Sequence, residues 1–303
     1  MNNPQRILSL LSITFLTILF INAINKSDVD PESNTHENYK VKALKLPANL
    51  NFSGEIVPVH KPNIRERMDR ELLVNTYWQS NGLLLLKRAN KYFPILEPLL
   101  EEYGLPDDFK YLAVAESGLL MDNPSSASAS GLWHFLPNTA KEKKFGLEIN
   151  DNVDERFHIE KSTRAAAIYL KYAKEKFGSW TLAAAAYNAG NRRIFERLSA
   201  QQVTSYYDAL LPDETERYVF RIVALKEVLS NPEKYGFVFE KEDLYTSIKT
   251  RTVKVDTVIS NIASFAKKFG TNYKQLKLQN PWLRENKLNN KSRRLYEIKI
   301  PVE

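Results

Sequence analysis

From residue 64 to about residue 230 the sequence repeats one pattern: apolar residues at helical spacing, interrupted by Gly and Pro, with apolar runs too short for more than a few strands. A chain written this way folds by packing helix on helix, so this region is read as a mostly α domain. The 303 residues suffice for one large domain or two smaller ones, and 43% apolar and 11% aromatic content supplies a buried core. Cysteine is absent, which excludes disulfides, thiolate nucleophiles and cysteine-ligated zinc. The formal charge of +7 is spread among acidic residues rather than gathered into a block, so nucleic acid is not an expected partner.

At the N-terminus, Arg6 precedes an almost uncharged stretch, residues 7–24, that ends before Lys26 and Asp28. Residues 1–25 therefore read as an export signal, either a cleaved signal peptide or an uncleaved signal-anchor that would hold the chain on a membrane. Either version places the remainder beyond the membrane, in the cell envelope. Residues 26–65 are polar and punctuated by Pro31, Pro47, Pro58 and Pro62, which reads as a tether.

The segment 104–118, GLPDDFKYLAVAESG, carries the main chemical clue. Pro106 and two aspartates make a helix start and Gly118 a helix stop. Phe109, Leu112, Ala113 and Glu116 fall at i, i+3, i+4 and i+7, which puts a carboxylate on the apolar stripe. Burial there disfavours the charged form and raises the pKa, the condition for a carboxylic acid that donates a proton near neutral pH. A glutamate in the last turn that escapes to solvent or pairs with an arginine fits the same pattern. The next segment, 125–140, begins with small residues from Ser125 and then presents Trp133, His134 and Phe135 together, an expected stacking surface beside hydrogen-bonding groups. Trp180, Ala183, Ala184 and Tyr187 repeat the helical spacing and lead into Asn188, Ala189 and Gly190, which places Tyr187 and Asn188 at a helix end. Such a stripe, taken alone, is more often core than site.

Taken together, Glu116-Ser117-Gly118, then the run GLWHFLP at 131–137, then AAYNAG at 185–190 resemble the ordered motifs of lytic transglycosylases with the goose-type lysozyme fold. Trp133, Leu211-Pro212, Glu214-Thr215 and Tyr218-Val219 most resemble the membrane-bound murein transglycosylase D subgroup. The resemblance implies a catalytic domain over residues 66–240 acting on peptidoglycan glycan strands. It implies Glu116 as catalytic acid/base and a substrate cleft formed by Ser117, Ser125, Trp133, His134, Phe135, Tyr187 and Asn188, with Tyr187 bonded to the catalytic carboxyl or to substrate. Asp154-Glu155-Arg156 fits a family element with a structural role. The implied reaction cleaves the MurNAc–GlcNAc β-1,4 bond without water and leaves a 1,6-anhydroMurNAc end, with no metal or organic cofactor. A hydrolytic muramidase or chitinase on the same fold and a non-catalytic peptidoglycan-binding scaffold are the alternatives. Two departures from the family pattern stand out: His134 where glutamine is usual, and Ser128 where glycine is usual. Asp122 is the nearest candidate for a second carboxylate and has no motif support.

Beyond Gly236 the composition shifts, and residues 250–303 fit a strand, two helices and a closing strand. They resemble one degenerate LysM repeat, a small βααβ module, lacking the usual glycine where Val255 stands. The resemblance implies glycan binding that raises local substrate concentration through a tether; a purely structural appendage fits as well.

Overall fold

The computed structural model describes residues 41–122 and 128–302. The export-signal reading of residues 1–25 lies outside them, as does Ser125, and no helix among the described residues is long and apolar enough to cross a membrane.

The mostly α expectation is met. Pro62 opens helix α1 (Pro62–Tyr77), where its missing N–H costs nothing, and α2 (Gln79–Glu102) follows. Helix α3 (Phe109–Ser117) buries Phe109, Leu112, Ala113 and Val114 and ends at Gly118, whose φ of 58° suits a residue without a Cβ. The short α4 (Pro137–Ala140) precedes the long α5 (Ile159–Phe177) and α6 (Trp180–Ala189), and the latter is buried along its alanine face. Helices α7 (Asn191–Gln201) and α8 (Asp213–Ser230) complete the bundle. Helix α8 packs against α1, α3 and α6, so α3 sits at the centre with its C-terminal turn beside α8.

The expected tether ends earlier than residue 65. Strands β1 (Asn51–Phe52) and β2 (Glu55–Ile56) form an antiparallel hairpin. Phe52 is wholly buried, edge-on to Phe109 at 5.1 Å between ring centroids. From the hairpin the Glu55 carboxylate accepts bonds from Trp180 N (2.5 Å) and Thr181 N (2.9 Å), occupying the N-terminus of α6. Strands of two residues carry no readable alternation, so the hairpin leaves no period in the sequence.

The C-terminal part has the expected order: β3 (Thr250–Val255), α9 (Ile262–Lys268), α10 (Tyr273–Gln279) and β4 (Tyr296–Pro301), with β3 and β4 antiparallel and Val253 opposite Ile298. Asn261 and Asn272 cap the two helices through bonds from Ser264 N and Gln275 N. Its core of Ile262, Leu276, Trp282, Ile298 and Ile300 also takes in Val153 and Phe157 from the helical domain. The module is docked, not hung on a tether. Asp154 N donates to Trp282 O (2.9 Å), while Arg284 N and Asn289 N donate to the Asn152 carbonyl and side-chain oxygens (2.8 and 2.9 Å). The fully buried Glu155 is ion-paired with Lys161 and with Arg294 across the junction. These bonds come from backbone groups and scattered polar residues, a pattern with no sequence period.

Candidate active site

Glu116 occupies the last turn of α3, with 15% of its side chain exposed. The Tyr218 hydroxyl, from α8, donates a short hydrogen bond to Glu116 Oε1. His134 Nδ1 lies 3.7 Å from Glu116 Oε2. Burial pushes the Glu116 pKa up to about 7; the Tyr218 bond opposes this, the charge of Glu214 adds to it and that of Arg221 reduces it. The carboxyl is thus poised to exchange a proton near neutrality. Burial beside Glu116 also pushes the Tyr218 hydroxyl well above its ordinary range, so it stays a neutral donor.

The residues after α3 are held by their own side chains. The Ser117 hydroxyl is buried, 2.9 Å from Leu132 O and 3.1 Å from Ala113 O, and it accepts from Leu119 N. It ties the end of α3 to the 131–135 loop and faces protein, not a cleft. Gly131 in that loop has φ 77°, and a Cβ there would stand 2.0 Å from the Arg156 carbonyl oxygen, so a glycine is required. The Arg156 guanidinium grips both ends of the loop, donating to Ser128 O (2.8 Å) and Phe135 O (3.1 Å) while bound to the Asp154 carboxylate. This gives the Asp154-Glu155-Arg156 element its structural work: Arg156 clamps the loop and Glu155 anchors the C-terminal module. Ser128 holds φ 61°, a left-handed conformation that the glycine usual at this position adopts without strain.

The expected stacking surface is not formed by Trp133 and Phe135. Trp133 is wholly buried, its indole N–H donating to Thr163 Oγ1 (2.9 Å), and Phe135 packs against Phe145 and Tyr187. Their rings carry too much apolar area to be left in water when α5 and α6 stand behind the loop. What the loop brings to Glu116 is His134, at φ 45°.

Tyr187 and Asn188 lie at the C-terminal end of α6 as the spacing predicts, with different partners from those expected. The Tyr187 hydroxyl donates to Trp133 O (2.7 Å), bracing the loop from behind; burial raises its pKa far above the usual value. Asn188 Oδ1 accepts from Thr215 Oγ1 (2.9 Å) on α8. The tyrosine on the carboxyl is Tyr218, one helical turn from Thr215. The sequence holds a faint signal for it: two hydroxyl residues at i and i+3 on the otherwise apolar buried face of α8. Asp122 is exposed and forms a 3.6 Å ion pair with Arg284 of the C-terminal module.

Residues 95–209 match the family model of the transglycosylase SLT domain, and residues 251–303 that of the soluble lytic transglycosylase C-terminal LysM-like domain. The chain is 29% identical over 178 residues to the membrane-bound lytic murein transglycosylase D of Escherichia coli K12, an alignment covering 57% of this chain and 38% of that protein. It is 33% identical over 113 residues to a protein named for tributyltin chloride resistance in an Alteromonas species, covering 37% of this chain and 54% of that one. The chain thus spans well under two thirds of the length of these curated relatives. A solved structure of the lytic transglycosylase Slt from Pseudomonas aeruginosa aligns at 22% identity over 50% of this chain and 26% of that chain, with a TM-score of 0.36.

Proposed function

We propose that the protein, which matches the transglycosylase SLT domain model and the LysM-like domain model, is a lytic transglycosylase of the cell envelope, cleaving the MurNAc–GlcNAc β-1,4 bond of peptidoglycan through Glu116. The observation that carries this reading is the Glu116 carboxyl, buried and raised to about 7, so that it is part protonated where cells work.

In the proposed reaction Glu116 gives its proton to the bridging oxygen as the bond from that oxygen to the anomeric carbon breaks. The substrate's N-acetyl oxygen stabilises the positive anomeric centre. The ionised Glu116 then takes the proton of the muramyl 6-hydroxyl, whose oxygen closes on the anomeric carbon to form the 1,6-anhydro ring. The first proton leaves on the departing sugar's hydroxyl, the 6-hydroxyl proton restores the acid form of Glu116, and no water is consumed. Tyr218 stabilises the ionised form at mid-reaction, because a hydroxyl donor favours the carboxylate over the acid. His134 is the second polar group beside the carboxyl, an imidazole that can donate or accept where glutamine is usual. Tyr187, Asn188, Ser117 and Trp133 act by holding the loop and α8 in place. The N-terminal apolar segment, as signal or anchor, would deliver the domain to the envelope, in keeping with the relative named as membrane-bound.

The test is digestion of purified sacculi by the wild type and by Glu116→Gln, with products weighed by mass spectrometry. The wild type is expected to release fragments one water lighter than hydrolysis would give, and the variant to release none. Fragments of full hydrolytic mass would make the protein a muramidase on the same fold. Undiminished cleavage by the variant would remove Glu116 from the chemistry.

A further inference from the structure

Glu71 on α1 is a second buried carboxylate, with 1% of its side chain exposed, and the chemistry described above makes no use of it. Three guanidinium groups meet it. Arg217 Nε donates to its Oε1 at 2.7 Å, Arg70 Nη1 donates to the same oxygen at 2.8 Å, and Arg221 Nε stands 3.7 Å from Oε2. Among the described residues Arg221 has no other ion pair, whereas Arg217 is shared with Asp213. A buried ion pair rarely adds stability over an apolar contact of the same size, so stability alone does not account for the cluster.

Two of the three arginines come from α8, and their spacing ties the cluster to Glu116. Glu214, Arg217, Tyr218 and Arg221 fall at i, i+3, i+4 and i+7, which makes one stripe along that helix. The stripe serves two carboxyls: Glu71 on α1 through its arginines, and Glu116 on α3 through the Tyr218 hydroxyl. The charge of Arg221 is felt at Glu116, where it reduces the rise that burial produces. The other groups facing Glu116 are Tyr218 and Glu214 from α8, His134 from the 131–135 loop and Tyr187 from α6. Released from Glu71, the Arg221 guanidinium would have a second carboxyl within its neighbourhood. Pairing there would favour the ionised form of Glu116 and remove the proton with which the reaction begins.

We propose that Glu71 is a positioning residue: by engaging Arg221 from α1, it keeps that guanidinium from pairing with the Glu116 carboxyl, so that Glu116 stays available as an acid. The inference rests on the reading of Glu116 as the acid of a transglycosylase. Glu71 acts through Arg221 alone. The ion pair of Arg67 with Glu216, at 2.6 Å, joins the same two helices one turn earlier on α1 without involving Arg221, and so separates the docking of the helices from the restraint of the guanidinium.

The experiment uses the full chain, with the Glu116 carboxyl titrated by carbon NMR and kcat/KM measured on sacculi at pH 7 and pH 5. Glu71→Gln is expected to lower the Glu116 pKa from about 7 to about 6. At pH 7 kcat/KM should then fall by about five-fold, while at pH 5, where both proteins hold the proton, it should stay close to that of the wild type. A merely structural role would lower it at both. Arg221→Gln leaves Glu71 paired with Arg70 and Arg217, so it tests the same link should Glu71→Gln fail to fold; it is expected to raise the Glu116 pKa above that of the wild type. The double variant should titrate like Arg221→Gln, and Arg67→Gln like the wild type. An unchanged or raised Glu116 pKa in Glu71→Gln, the same fall in the double variant or in Arg67→Gln, or no rise in Arg221→Gln would overturn the proposal. Titrations that follow the prediction with no cleavage of sacculi by any of the proteins, wild type included, would leave the role of Glu71 standing and remove the transglycosylase reading.

Discussion

Two segments reach Glu116, and they do so in opposite ways. The 131–135 loop announces itself in the sequence, with a glycine, three aromatic rings and a proline close by, yet most of those side chains turn inward: Trp133 onto Thr163, Phe135 onto Phe145 and Tyr187. Helix α8 carries Thr215 and Tyr218 within a run that resembles the family but suggests no chemistry, yet it supplies Tyr218, the hydroxyl bonded to the carboxyl. The difference teaches that a motif rich in aromatic rings can be the scaffold of a site while a helix whose motif suggests no chemistry supplies its working group. Burial of the carboxyl among these packed segments is what raises the pKa of Glu116.

If the loop is scaffold, breaking it should cost stability first. Gly131→Ala is expected to destabilise the protein by more than about 3 kcal/mol, because the new Cβ collides with the Arg156 carbonyl at a left-handed φ. Urea unfolding measures this, and an unchanged midpoint would mean the loop is free to move. Next in size is the cost of burying Glu116 itself. Its folded pKa is raised above the ordinary 4.5 to about 7, so the folded state holds the proton more tightly than the unfolded chain does. Stability is therefore full below about pH 4.5 and declines as pH rises to about 7, by up to about 3 kcal/mol. Glu116→Gln should remove this slope and unfold at a higher temperature than the wild type at pH 8, but not at pH 4.

The prediction for α8 concerns rate more than stability. Tyr218→Phe removes the donor that favours the ionised carboxyl, so kcat/KM should fall by about ten-fold and its alkaline limb should move to higher pH. A loss of activity without a shifted limb would make Tyr218 a packing residue. The smallest effect belongs to the loop again: Ser128→Gly relieves a left-handed conformation and should stabilise by about 1 kcal/mol, with activity retained.

Much of this was legible beforehand where one period governs one element. The i, i+3, i+4, i+7 spacing of Phe109 through Glu116 placed a carboxyl against the core, and the strand, helix, helix, strand order of the C-terminal module appears as expected. The misreadings share a cause. The inward turn of Trp133, the burial of Phe52 in a hairpin taken for linker and the docking of the module on Asn152 all depend on contacts between distant segments, which no local pattern records. The Tyr187 hydroxyl meets Trp133 O and the Tyr218 hydroxyl meets Glu116 for the same reason: both are tyrosines on buried helix faces, and which hydroxyl reaches the carboxyl is decided by how α6 and α8 pack.

The central claim is that burial holds the Glu116 proton near neutrality while Tyr218 restrains the shift. Carbon NMR of the labelled Glu116 carboxyl, titrated in the wild type and in Tyr218→Phe, tests it most directly. The account predicts a pKa of about 7 in the wild type and a higher value in the variant; a value near the ordinary 4.5, or one that does not rise when the Tyr218 hydroxyl is removed, would contradict it.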